Sequence, residues 1–198
     1  MTRGRRFLVA VAVALLVPAA GSATFAAFRA TTTNQGNIVE AGSVKLSDNG
    51  DGSSLLSMSG AVQGDTTSAC IKVTYGGSLP ATVRLHGTTT GTGLDQYLNL
   101  KVTRGTYSPS TPAFKSCTNF QADATDYIGA GNGVIYSGTL QGYPDDYASG
   151  LVDPTSGSPE TWTTGEVHVY RFDVTMQSNF AAQGKDAAQT FRWEARNQ

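Results

Sequence analysis

From residue 27 onward, short apolar runs alternate with clusters of Gly, Ser, Thr, Asn and Asp, and no long stretch repeats its apolar residues every 3.6 positions. A helix must bury a stripe at that period, whereas a half-buried strand needs only every second side chain, so the pattern restricts the chain to an all-β fold. The clearest strand is Val167 to Met176, with Tyr170, Phe172, Val174 and Met176 on one face and Val169, Arg171, Asp173 and Thr175 on the other. Thr190 to Ala195 repeats the pattern, placing Phe191, Trp193 and Ala195 opposite Arg192 and Glu194. Upstream, Cys70 to Tyr75, Thr82 to His86 and Leu98 to Thr103 direct Ile71, Val73, Tyr75, Val83, Leu85, Leu98, Leu100 and Val102 inward. Gly76 to Pro80 turns the chain between the first two of these. Asn37 to Leu46 and Gly133 to Leu140 supply two more candidates. Seven or eight short strands joined by turns predict a two-sheet β-sandwich. Thr92 to Tyr97 is expected to form a helical turn, and Tyr143 to Thr164, rich in Gly, Pro, Ser and Asp, a long surface loop.

The amino terminus follows a different logic. Arg3, Arg5 and Arg6 precede an uncharged run from Phe7 to Val17, then Pro18 and a series of small residues. That order of basic, apolar and small segments predicts a secretory signal helix over residues 1–26, cut between Ala26 and Ala27. A retained anchor is the rival, but Pro18, Gly21, Ser22 and Thr24 dilute the run below the roughly 20 apolar residues a bilayer span requires. Removing 1–26 takes away three arginines and leaves 11 basic against 15 acidic residues, a net charge of −4 that argues against nucleic acid as a partner. Export to an oxidising compartment predicts a disulfide between Cys70 and Cys117, since two lone cysteines without CxxC spacing make a poor metal or redox pair. Residues 27–36 form a polar, threonine-rich arm whose β-branched residues favour extension. Such an arm can lie disordered, pair with its own sheet, or pair with the edge of a neighbouring molecule. Residues 37–198 make up the sandwich domain.

Catalytic chemistry is thinly represented. No GxSxG elbow, HExxH helix, P-loop or dinucleotide fingerprint occurs, and no cofactor or catalytic residue is assigned. His86 and His168 read as sheet residues; a zinc site would need them to converge on a shared carboxylate. Asp48-Asn49-Gly50-Asp51-Gly52 has the composition of a calcium loop without the register of an EF-hand, and reads instead as a hairpin turn. Asp145 and Asp146, flanked by Tyr143 and Tyr147, suggest either a solvated loop or a sugar-binding surface. Adjacent acids on a strand face opposite sides, which argues against a paired-carboxylate hydrolase there.

Several short motifs, in a fixed order, resemble the TasA/camelysin family of exported bacterial proteins, in its actinobacterial form. They are Thr24-Phe25-Ala26-Ala27-Phe28 at the cleavage junction, Glu40 to Leu46, Gly64-Asp65, Ile71 to Leu79, Tyr170-Arg171-Phe172, Gln183-Gly184-Lys185 and Phe191 to Ala195. Gln63 stands where the family's turn has proline. The resemblance implies a secreted jelly-roll subunit, released by a dedicated signal peptidase, that polymerises into biofilm-matrix fibres by donating its amino-terminal strand to the next subunit. Phe28, with Ile38 or Val39, would be the apolar anchors entering the acceptor groove. A further anchoring or accessory matrix protein is an expected partner. The resemblance also implies a competing reading, a camelysin-like metallopeptidase; a third possibility, from the residues themselves, is a monomeric surface adhesin that uses the loop from Tyr143 to Thr164 for sugar or protein contact.

Overall fold

A computed structural model describes residues 29–33, 44, 46–50, 52–152, 154–155 and 158–197. The predicted signal helix, the cleavage pair Ala26 and Ala27, and the anchors Phe28, Ile38 and Val39 lie outside the described residues. The strands are β1 (Arg29–Thr33), β2 (Leu46–Asp48), β3 (Thr66–Tyr75), β4 (Ala81–Gly91), β5 (Leu98–Tyr107), β6 (Phe120–Ala122) and β7 (Val134–Thr139). They continue with β8 (Leu151–Val152), β9 (Pro154–Thr155), β10 (Ser158–Pro159), β11 (Thr161–Trp162), β12 (Val167–Met176) and β13 (Ala187–Asn197).

Two antiparallel sheets pack face to face as a sandwich. The first runs β1-β13-β4-β11, with β8 also on β4; the second runs β2-β3-β12-β5-β6, with β7 also on β5. The chain crosses between sheets from β3 to β4, from β4 to β5 and from β12 to β13, which gives a jelly-roll-like winding. Central β12 carries the longest alternation in the sequence, and its inward residues Tyr170 and Phe172 meet Trp193 and Phe191 of β13 at ring separations of 5.4 and 4.3 Å. Ile71, Val73 and Tyr75 of β3 and Leu100 and Val102 of β5 complete a fully buried core on the second sheet. Leu94–Tyr97 forms the expected turn, a short 3-10 helix.

Three expectations need correction. The segment from Tyr143 to Thr164 is a surface loop only in part: most of its described residues are exposed or half-buried, but Tyr143 packs edge-on against Tyr136 and Phe191, and Trp162 is wholly buried on β11. Its polar composition hid two aromatic plugs that seal the sandwich. Asp48-Asn49-Gly50 does turn, with Asp48 Oδ1 accepting the Gly50 N–H and Asn49 Oδ1 accepting the Lys72 N–H. It does not close a hairpin, because β2 pairs with β3 across the long connection that follows. Finally, Glu194 and Val169 belong to outward-facing columns yet are buried, because other segments fold across both sheets.

Candidate functional site

The arm is the first element to consider. Of its three possible fates, the described part takes the second: Arg29 to Thr33 pair antiparallel with Arg196 to Arg192 of the same chain, and β1 forms the edge of the first sheet. β1 also lies close to β2, the corresponding edge of the second sheet, so it stands along the seam between them. Five consecutive backbone pairings hold it, a form of recognition that makes little demand on side-chain identity.

Beside the arm, the outer face of β4 and β13 is charged and covered. Glu194, opposite Thr31, is fully buried; its carboxylate accepts from Arg196 Nε at 2.7 Å and lies 3.3 Å from His86 Nε2. Residues 144–150 form the cover. Tyr147 is stacked under the Arg196 guanidinium at 3.7 Å, and Arg84 Nη1 donates to the Ala148 carbonyl at 2.7 Å. Burial raises the Tyr147 hydroxyl above the usual phenol range. Burial in the core raises the Tyr143 hydroxyl further, with Tyr136 adding to it. The pair of tyrosines expected to offer a sugar-binding surface is therefore split, one in the core and one clamped between arginines. Asp146 accepts from the Ser149 backbone and hydroxyl, which holds its carboxyl below the ordinary range, and so serves its own loop.

A second charged cluster closes one end of the sandwich. Continuing inward along β5 from Leu98, Leu100 and Val102 brings Arg104, which is 7% exposed. Its Nε donates to Asp123 Oδ2 and its Nη1 to Glu160 Oε2, both at 2.5 Å, while Nη2 donates to the Tyr127 hydroxyl at 2.8 Å. Tyr127 in turn donates to Asp123 at 2.9 Å. Beside them His168 stacks on Trp162 at 4.5 Å, with Nε2 3.0 Å from Glu166 Oε1 and 3.8 Å from Glu160 Oε2. The Thr163 N–H and hydroxyl hold the other Glu166 oxygen. Burial would raise the Glu166 carboxyl, but hydrogen bonds from His168 and Thr163 outweigh it and leave the group below its usual range.

Glu160, Glu166 and His168 each present one ligand-type atom, all within 4.8 Å of one another. They fit a catalytic metal poorly. The Glu160 oxygen is already held by Arg104, and a cation there would face a guanidinium across a charge-assisted bond. Nor do the two histidines converge: His86 turns to Glu194 on the outside of one sheet, and His168 to Glu166 at the sandwich end. The cluster is an ion-pair lock that ties β5, β11, β12 and the 123–127 segment together.

Cys70 and Cys117 form the predicted disulfide, with Cα atoms 5.1 Å apart. Cys70 also donates its N–H to the Lys115 carbonyl, so segment 108–119 is fastened across the outer face of the second sheet. Sequence reasoning stopped at Thr103 and missed Arg104, although the alternation that places Val102 inward places Arg104 inward too. Neither protein-family models nor curated protein sequences match this chain.

Proposed function

We propose that this chain is a secreted structural subunit, similar to the TasA/camelysin proteins, that assembles into extracellular matrix fibres by exchanging its amino-terminal strand with the next subunit. The observation that carries the reading is the pairing of Arg29–Thr33 on the exposed edge of β13, just past the predicted cleavage point. Donor and acceptor are one sequence, so a neighbour's arm can make the same five pairings that the chain makes with itself. Exchange of an identical element is a low-cost route to assembly, and a head-to-tail exchange that does not close propagates as a filament. Signal peptidase would supply the freed terminus, a second copy would be the main partner, and an anchoring protein would tether the fibre.

Electron microscopy of the chain beginning at Ala27, against one lacking residues 27–36, tests the reading. The truncated chain should remain a folded monomer and form no fibres; fibres of undiminished length from it would refute strand exchange.

A further inference from the structure

The outer face of the second sheet is polar, and the strap 108–119 leaves part of it open. There Arg171, Asp173 and Thr175 of β12 stand opposite Thr103, Lys101 and Asn99 of β5. These side chains line two hollows of about 380 and 550 Å³ that share Lys101 and Asp173, and so form one trough along the strands. The four steps from Thr103 to Asn99 make it roughly 13 Å long. Phe120, in the outward column opposite Tyr107, lines the first hollow with Asn132, and Ser137 lines the second.

Charge in the trough is unevenly matched. Lys101 faces Asp173 directly across the β5–β12 pairing, where opposite charges ordinarily pair. The carboxylate is taken from the other side: Asp173 Oδ1 accepts from Arg171 Nε at 2.9 Å, from Arg171 Nη2 at 2.8 Å and from the Ser68 hydroxyl. The exposed Lys101 ammonium has no partner among the described residues, nor have the Asn132 amide and the Ser137 hydroxyl. The trough thus keeps one positive charge, on a chain whose net charge is −1.

Three kinds of occupant fit this surface poorly. An extended peptide cannot add as a strand, because β5 and β12 are both hydrogen-bonded along their two edges here. An apolar molecule would lie on a charged floor and strip it of water. A dense polyanion would find one unpaired cation on a chain that otherwise repels it. A sugar chain with a spaced carboxylate matches each part. Its hydroxyls suit Asn132, Ser137 and the second Asp173 oxygen, a C–H face of a ring suits the half-buried Phe120, and the carboxylate suits Lys101. We propose that the trough along β5 and β12 binds a glycan bearing a uronate carboxylate, with Lys101 as the residue that reads the charge. The inference stands apart from strand exchange, since neither β1 nor the outer edge of β13 contributes to the trough.

Equilibrium binding of the chain beginning at Ala27 to immobilised hexasaccharides of polygalacturonate, alginate and hyaluronan, each beside its carboxyl-reduced form, tests it. At least one acidic sugar should bind and lose about tenfold in affinity on reduction, the loss expected for one charge-assisted hydrogen bond. Lys101→Met should lose as much, Phe120→Ser should also weaken binding, and Lys185→Met, away from the trough, should leave it unchanged. Absence of binding to every acidic hexasaccharide overturns the inference, as do equal losses in the two lysine variants. A glutamate hexapeptide bound as tightly as the sugars overturns it too, because charge alone would then account for the affinity.

Discussion

Arg104 and His168 occupy inward positions at the end of columns that are otherwise apolar, and there they trade hydrophobic burial for ion pairs. A buried charge is tolerated only when its partners are close and its remaining donors are satisfied, and Asp123, Glu160 and Tyr127 meet that condition for Arg104. Glu166 reports on the lock through pH. Its folded carboxyl titrates below the unfolded one, so the stability it contributes is fully present above the ordinary carboxylate range and is lost as pH falls through the folded value. Urea titrations of wild type and Glu166→Gln should therefore show a gap in midpoint at pH 7 that closes toward pH 3; a gap independent of pH would show that the carboxylate charge contributes nothing. Sequence parity identifies the inward direction of both residues, as it does for Tyr170 and Phe172. Their partners were not legible, because Asp123, Tyr127 and Glu160 come from irregular segments whose path no alternation encodes.

The strongly alternating strands were legible in their apolar centres: β12 matches its predicted span, whereas β3 and β5 run four residues beyond theirs and β4 and β13 are about twice as long as predicted, because their threonine-, alanine- and glycine-rich ends carry no apolar period. The weak point was the segment before β12, where two-residue strands are too short to display a period and Gly, Pro and Asp dominate. Yet β11 places Trp162 against Ala81 at the end of β4, where the indole closes the core and supports the His168 ring. Trp162→Ala should cost about 3–5 kcal/mol through lost burial and the cavity left behind. The same truncation at Phe180, 77% exposed, should change stability by less than about 0.5 kcal/mol. Equilibrium unfolding of the two variants measures the contrast; equal costs would mean that β11 is not part of the core. The outward faces misled for a related reason. The burial of Glu194 and His86 was not legible because the alternation shows which side of a sheet a residue takes, not whether residues 144–150 fold over that side.

Over the whole molecule, two long-range ties bracket the sandwich. The disulfide joins β3 to a segment 47 positions later, and β1 joins β13 across most of the chain. Replacing both Cys70 and Cys117 with serine should lower stability by about 2–4 kcal/mol while leaving the sheets in place. Circular dichroism with denaturant titration tests this, and a loss of strand signal in the absence of denaturant would contradict it. The second tie differs because it is made by backbone alone. Arg29 and Arg196 stand 167 positions apart, so their contact carries one of the largest loop-closure costs in the fold and gains nothing until the intervening strands have docked. A folding molecule consequently passes through an interval in which its sandwich is formed and its edge is still bare. On the strand-exchange proposal, first-order self-closure during that interval competes with second-order capture by a neighbour, and the local concentration of the protein decides how the race ends.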